Sequence, residues 1–161
     1  MSSAGEVLMD QIAAVLNAPG APLPTVRQRP RPLAAQNPDG SSGIDAMLLF
    51  ARNEKSQRVS GNRVQRERTF HLEIAVSSQN ADGTVDNNPL DMKADPFYLY
   101  VVQTLFSDAA QAIFTNNGAY PFRLEEVELI WETASSYVDV AVCALVMQFN
   151  FSTTLDPSVR V

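Results

Sequence analysis

Several residue types on which catalytic and metal sites depend are scarce in this sequence. Cysteine and histidine each occur once, as Cys143 and His71. A single cysteine excludes an intramolecular disulfide and a cysteine-rich zinc site, and it is typical of a protein kept in a reducing compartment. The sequence also lacks the glycine-rich loops that cradle phosphates. Any catalytic mechanism that needs a histidine must therefore use His71.

Long hydrophobic segments are missing as well. The longest apolar runs, such as residues 140–147, are far shorter than the roughly 20 residues that a membrane-spanning helix needs. The first residues contain neither a basic stretch nor an apolar signal core. We therefore expect no membrane partner and a protein that stays in the cytoplasm where it is made.

The chain does have the composition of a folded domain. Its 161 residues are 45% hydrophobic and 19% charged, which is typical of a globular protein. A chain of this length suits one domain and buries enough surface to fold without a disulfide or a metal. We predict a single domain over residues 1–161, with no metal and no cofactor.

The net charge of −6 conceals an asymmetry along the chain. Residues 26–68 contain nine basic and four acidic residues, whereas residues 69–161 contain three basic and twelve acidic ones. Opposite charges on two faces of a subunit favour head-to-tail association of copies, and they equally favour binding to a polyanion.

The first half of the chain is predicted to contain a helix and two strands. Ser3 and Glu6 form a capping box, in which each side chain bonds the other residue's amide, at the start of a helix that stops at Asn17. Six prolines in residues 18–43 exclude a regular helix or a central strand, so we expect an extended segment. Residues 44–51 and 69–78 are predicted strands, and residues 52–68 form a basic hairpin arm that is mobile in part.

The second half is predicted to contain one helix and an antiparallel hairpin. Asp95 is the expected N-cap and Pro96 the first residue of a helix that stops at Asn116. Residues 122–133 and 137–151 are predicted strands joined by a tight connection at 134–136, and the second is apolar on both faces, as in a central strand. The fold class is therefore α+β: a mostly antiparallel sheet of about four or more strands with two helices packed on one face.

Few residues suggest chemistry. His71 lies two residues from Glu73 on one strand face, a pair that suits general acid–base catalysis, but a plain surface position on a strand is the favoured interpretation. Cys143 lies in an apolar strand, where burial makes a thiol inert. Glu126, Glu128 and Glu132 share a strand face, which suits a hard cation, a solvated face or the lining of an oligomeric channel. No catalytic residue is assigned.

The order of elements resembles the tail terminator proteins of long-tailed phages, of the lambda minor tail protein U type. The resemblance covers residues 5–17 and 44–153 as a pattern of elements. It rests on a capped N-terminal helix (3–17), a strand (70–76) and an amphipathic helix (96–114). It also rests on a C-terminal hairpin, which contains residues 122–127, 137–140 and 147–151.

The resemblance implies a structural virion protein that is not an enzyme. Such a protein forms a ring, expected to be a hexamer, on the finished tail tube, where it stops tube polymerisation and presents a surface for head joining. Its partners are further copies of itself, the tail tube protein and a head-completion or neck protein, with DNA passing through the ring. It is located at the head-proximal end of the virion tail, and in the host cytoplasm during assembly.

The residues chosen as interface candidates follow from charge and expected exposure. The arm arginines are candidates for subunit or tube contact, and the acidic strand face is a candidate for channel lining or subunit contact: Arg58, Arg63, Arg66, Arg68, Glu126, Glu128 and Glu132.

Three alternatives remain open from the sequence. These are another neck or head–tail connector protein, a small α+β enzyme or ligand-binding domain with a pocket between sheet and helix, and a nucleic-acid-binding module that uses its arginines. The basic stretch contains one aromatic residue, Phe50, so stacking platforms for bases are not evident and direct nucleic-acid binding is not the favoured interpretation.

Overall fold

A computed structural model describes residues 3–27, 46–61, 63–78, 84, 87–119, 123–133 and 139–154. The described residues form three α-helices and five β-strands. In chain order these are α1 (Ala4–Leu16), β1 (Thr25–Arg27), β2 (Ala46–Ser60), β3 (Arg63–Ser77), α2 (Leu90–Leu105), α3 (Asp108–Asn116), β4 (Arg123–Thr133) and β5 (Asp139–Thr154).

The five strands form one sheet in the order β1-β2-β3-β5-β4. The pairs β2–β3, β3–β5 and β4–β5 are antiparallel, and β1 joins the edge of β2 in parallel. The predicted α+β class with a mostly antiparallel sheet is confirmed. The helix count differs, because the single helix predicted in the second half is two helices.

The core lies between one face of the sheet and the helices. Every second residue of the central strands contributes to it, because side chains alternate between the faces of a strand. Buried side chains of α1, α2 and α3 complete the same cluster. Its largest fully buried members include Phe70, Phe114, Phe149, Phe151, Leu8 and Met9.

Helix α1 begins where the sequence predicts. The Glu6 amide donates to the Ser3 hydroxyl oxygen over 3.3 Å, and Asn17 follows the last helical residue. The second half of the predicted capping box is replaced, since the Glu6 carboxylate contacts Arg27 and Arg68.

The predicted start of the second helix is wrong. Helix α2 begins at Leu90, after Pro89, so Asp95 is not an N-cap and Pro96 lies in the second turn. Pro96 cannot donate to the carbonyl of Met92 one turn earlier. Met92 is 64% exposed, so water can satisfy that carbonyl and the helix tolerates the proline.

A break at Ser107 divides the predicted helix into α2 and α3. The Ser107 hydroxyl accepts from the Ala110 amide over 3.2 Å and so caps α3. The Gln111 side chain donates to the Leu105 carbonyl over 2.6 Å, which satisfies the end of α2. The predicted stop at Asn116 is confirmed.

A short strand lies in the described part of the proline-rich segment. β1 is at the edge of the sheet, consistent with the exclusion of a central strand. The Asn17 side chain exchanges two hydrogen bonds of 2.8 Å with the backbone of Thr25, which fixes β1 beside the end of α1. Residues 28–43 of the segment lie outside the described residues.

The C-terminal hairpin has the predicted pairing. β4 and β5 are antiparallel, and β5 lies between β3 and β4. All residues from Cys143 to Phe149 are buried, so both faces of this strand are covered there, as predicted for a central strand. The predicted connection at 134–136 lies outside the described residues.

Strands β2 and β3 are longer than predicted, and this changes the nature of the arm. The register pairs Ser60 with Arg63 at the hairpin end, and Gly61 occupies the turn with φ +50°, a left-handed conformation that glycine adopts without strain. Strand β5 continues beside β3 until Thr154 pairs with Arg63. Residues 52–60 and 63–68 are therefore strand, whereas the sequence predicted strands that end at Ala51 and begin again at Thr69.

Candidate functional site

The arm, residues 52–68, is exposed along β2. On its other side the core reaches the arm, because Phe149 and Phe151 of β5 pair with Arg68 and Arg66 and are buried. In β2, Met47 and Leu49 are buried under the helices, while all residues from Ala51 to Val59 are exposed. Both faces of β2 are therefore exposed within the arm.

The far end of the arm, which we call the arm tip (residues 55–65), is basic and carries an exposed apolar side chain. It contains Lys55, Arg58 and Arg63 and no acidic residue. The Arg58 Nε donates to the Gly61 carbonyl over 2.7 Å, which ties this side chain to the turn. Val59 is 61% exposed. The tip is suited to contact with an acidic and apolar surface.

The base of the arm is held to the domain by Arg68. This side chain lies on the helix-covered face of β3 and is 8% exposed as a residue. Its Nη1 is 2.7 Å from Glu6 Oε1 on α1, and its Nη2 is 2.6 Å from Glu54 Oε2 on β2. The guanidinium packs against Gly5, where an added Cβ would lie 2.8 Å from the Arg68 Cζ. Glycine at this position allows the helix to approach the arginine.

The contacts of Arg68 belong to a larger ion-pair network. Glu6 also binds Arg27 of β1, with 2.6 Å between Oε2 and Nη2, and Arg27 binds Asp10. Hydrogen bonds from Arg27 and then from Arg68 hold the pKa of Glu6 below its usual value. The network joins α1, β1, β2 and β3, so it fixes the arm relative to the first helix.

Arg66 extends the network on the arm. Its Nη1 is 3.5 Å from Glu54 Oε1. The structure therefore separates the four arm arginines chosen from the sequence into two pairs. Arg66 and Arg68 bind carboxylates of their own chain, whereas Arg58 and Arg63 lie exposed at the arm tip.

The three glutamates chosen from the sequence lie in the edge strand β4. The register pairs Glu126, Glu128 and Glu132 with Val146, Ala144 and Val140 of β5, with no irregularity between Glu126 and Thr133. Their backbone positions are thus in step along one edge of the sheet. Their side chains lie outside the described part of the chain.

His71 and Glu73 lie on the sheet face opposite the helices. The His71 Nε2 is 3.4 Å from the Arg52 Nη1, and its ring packs on Phe50 with 5.2 Å between ring centroids. Burial raises the pKa of Glu73 above its usual value. The arrangement places a cation beside the imidazole and a half-buried carboxyl on the same strand face.

Cys143 lies beneath α2 at the floor of an open depression. The depression has a volume of about 580 Å³ and is lined by Asp91, Met92, Asp95 and Tyr98 of α2. Burial, and then the charge of Asp95, raise the pKa of the Cys143 thiol above its usual value. The predicted inert thiol agrees with this environment, because a raised pKa lowers the fraction of thiolate.

Two features of this surface were missed by sequence reasoning. The ion-pair network joins residues that are far apart in the chain, and no local pattern indicates it. The α2 depression was missed because the helix was predicted to begin at Asp95. Met92, Leu99 and Phe106 are spaced by seven residues, and a helix starting at Leu90 would have shown them on one exposed side.

Within the described residues, no group of three or more histidine, cysteine, aspartate or glutamate side chains is placed to hold a metal ion. None of the described helices is long and apolar enough to cross a membrane. Comparison of the sequence with protein-family models gave no match, and comparison with curated proteins gave none either.

Proposed function

We propose that this chain is a structural phage tail protein, a tail terminator or tail-completion protein. It assembles as a ring of six copies on the completed tail tube, stops tube polymerisation and provides the surface for head joining. The observation that carries the proposal is the arm: a paired, basic hairpin that leaves all residues from Ala51 to Val59 of β2 exposed.

Along β2 the arm has no covering layer, and strand pairing holds its shape there. Strand pairing runs from Arg68 to Arg63 on both sides of β3, and the ion-pair network anchors its base to α1. A preformed extension loses little conformational entropy when it binds a partner. Such a rigid exposed element supports a role in subunit or tube contact.

The charge distribution supports contact between unlike surfaces of neighbouring copies. The arm tip is basic, whereas residues 69–161 carry twelve acidic and three basic residues. A contact between two different surfaces repeats around an axis and closes a ring when the rotation fits. Arg58 and Arg63 are the arm residues assigned to this contact, and Glu126, Glu128 and Glu132 remain candidates for the channel lining or for a second subunit contact.

The mechanism in this proposal is interface geometry rather than a chemical reaction. One side of the ring pairs with the end of the tail tube, and the other side offers no equivalent surface to a further tube ring. The tail tube protein, further copies of this chain and a head-completion or neck protein are the partners. Neither a cofactor nor membrane binding is part of the proposal, and the protein acts at the head-proximal end of the virion tail.

Electron microscopy of the purified protein mixed with polymerising tail tubes tests the proposal. We expect rings at tube ends and a halt in tube lengthening, with tubes incubated alone as the control. Tubes that lengthen equally with and without the protein, while the protein stays monomeric beside them, would contradict it.

Nucleic-acid binding is the second candidate, and the absence of acidic residues from the arm tip is the observation that favours it. A protein that neutralises several phosphates loses affinity steeply as salt increases. DNA binding by the isolated protein, measured by fluorescence anisotropy at several salt concentrations, distinguishes the candidates. Tight binding with a steep salt dependence supports this candidate, whereas weak binding without sequence preference supports the ring.

A further inference from the structure

The depression beside α2 combines negative charge with an apolar lining. Asp91 and Asp95 are one helical turn apart and both are exposed. Met92, Pro96 and Tyr98 supply the apolar and aromatic part of the wall. A cationic side chain with an apolar stem fits such a surface, because its head group meets the carboxylates while its methylenes cover the wall.

The arm tip has the matching chemistry. Arg58 and Arg63 flank the hairpin turn, and Val59, which follows Arg58 in β2, is exposed. The tip has no acidic residue of its own to neutralise these arginines. Its charge and its exposed apolar side chain complement the two carboxylates and the apolar wall of the depression.

The tip cannot reach the depression of its own chain. Cys143, at the floor of the depression, pairs with Ile74 of β3. Ile74 is 11 residues from Arg63 of the arm tip, a distance of about 36 Å along the strand. Continuous pairing with β2 and β5 keeps β3 extended over this distance, so the arm does not fold back. The two complementary surfaces therefore meet only between different copies.

We propose that the arm tip of one copy docks in the α2 depression of a second copy, with Arg58 and Arg63 against Asp91 and Asp95, and Val59 against Met92. This inference rests on the proposed ring, since it specifies the contact between neighbours. The tip and the depression are different surfaces of one chain, so the contact is head-to-tail and leaves a free tip and a free depression until the ring closes.

Charge reversal on each side tests the contact. The tip-reversed variant carries Arg58→Glu and Arg63→Glu, and the depression-reversed variant carries Asp91→Arg and Asp95→Arg. Each variant alone brings like charges together at every contact, so we expect its self-association to weaken at least about tenfold at low salt in sedimentation velocity. An equimolar mixture has attractive charges at every contact between unlike variants, so it should assemble again, with the two variants alternating.

A matched control separates this contact from a general effect of charge. Asp108→Arg makes the same charge change as each of the two Asp→Arg substitutions, at an exposed residue of α3 outside the depression. It should leave self-association within about threefold of the wild type, because remote surface charges are largely screened. Circular dichroism of all variants checks that each one is folded.

Several outcomes would overturn the inference. The first is an equimolar mixture of the reversed variants that fails to assemble. The second is an Asp108→Arg variant that self-associates as weakly as the reversed variants. The third is a tip-reversed variant that self-associates normally but no longer binds tail tubes. In the last case the tip contacts the tube protein, and the proposed ring stands without this contact. A wild-type protein that stays monomeric and leaves tubes uncapped removes both proposals.

Discussion

The sheet has two halves that are stabilised in different ways. In the half under the helices, alternate residues of β2, β3 and β5 are buried with Phe114 and other helix side chains in one cluster. In the arm, all β2 residues from Ala51 to Val59 are exposed. Strand pairing and the ion pairs around Arg68 hold it, together with core contacts of Phe149 and Phe151 beside its base. The difference shows that one continuous sheet contains both a buried core and a strand with both of its faces exposed.

The largest effect is expected from truncation in the covered half. Phe114 is fully buried in the core, so Phe114→Ala should lower the free energy of unfolding by about 3–5 kcal/mol. Val59→Ala, at the exposed arm tip, should change it by less than about 0.5 kcal/mol. Urea unfolding followed by circular dichroism measures both, and similar losses for the two variants would remove the proposed contrast between the halves.

An intermediate effect is expected where the two halves meet, at Gly5 and Arg68. Replacing Gly5 by alanine favours the helix by up to about 1 kcal/mol in free energy, but its Cβ would push an arginine that Glu6 and Glu54 hold in place. Gly5→Ala should therefore destabilise the wild type and stabilise the Arg68→Ala variant. A double-mutant cycle should give a coupling energy of at least about 1 kcal/mol.

Additive effects of Gly5→Ala and Arg68→Ala on the free energy of unfolding would contradict this explanation. If Gly5→Ala has the same effect with and without Arg68, the arginine is free to move aside and does not fix α1 to the arm. Gly20→Ala is not a suitable control because its φ of +91° strains any side chain. Ala13→Gly is a suitable control. It lies on the same helix but away from Arg68, so it measures the effect of helix propensity alone on the free energy of unfolding.

The smallest effect is expected from the charge of Glu6. Because its folded pKa lies below the usual value of about 4.3, its stabilisation is fully present above that value and disappears as the pH falls through the lower folded pKa. Glu6→Gln should lose about 1 kcal/mol of unfolding free energy at pH 7, since the side chain is 41% exposed and solvent screens its ion pairs. This deficit should shrink below pH 4.

Glu73→Gln is the control of opposite sign. Burial raises the pKa of Glu73, so ionisation of this carboxyl costs stability above its unfolded pKa. The glutamine variant should gain stability over the wild type as the pH rises to 7 and match it at low pH. If the free energy of unfolding changes with pH in the same way for both variants and the wild type, both explanations are contradicted.

Local patterns predicted those elements whose boundaries depend on local chemistry. The Ser3 cap, the stop at Asn116 and the alternation of residues 70–76 each depend on a few neighbouring residues, and the structure places them as predicted. Proline at position 96 misled the prediction, because proline is favoured at a helix start and Asp95 before it is a good N-cap. The hairpin arm was predicted, but the strands were predicted to stop at its base, since its polar residues lack the alternation by which half-buried strands are recognised.

The candidate interface divides in the same way. Its basic character is a property of composition, and Arg58 and Arg63 were found from charge alone. That Arg66 and Arg68 bind Glu54 of their own chain, and that Asp91 and Asp95 flank a depression, depends on the packing of distant segments.

The sequence by itself determined an α+β domain with one basic segment and an acidic remainder, because periodicity, caps and charge are local properties of the chain. The tertiary structure decided which charges are neutralised internally and which remain exposed. The physical reason is that Glu6 and Arg68 are 62 residues apart and are joined only when α1 packs on the sheet. Pairing of β5 along the whole of β3, likewise a long-range contact, is what holds the arm in the sheet.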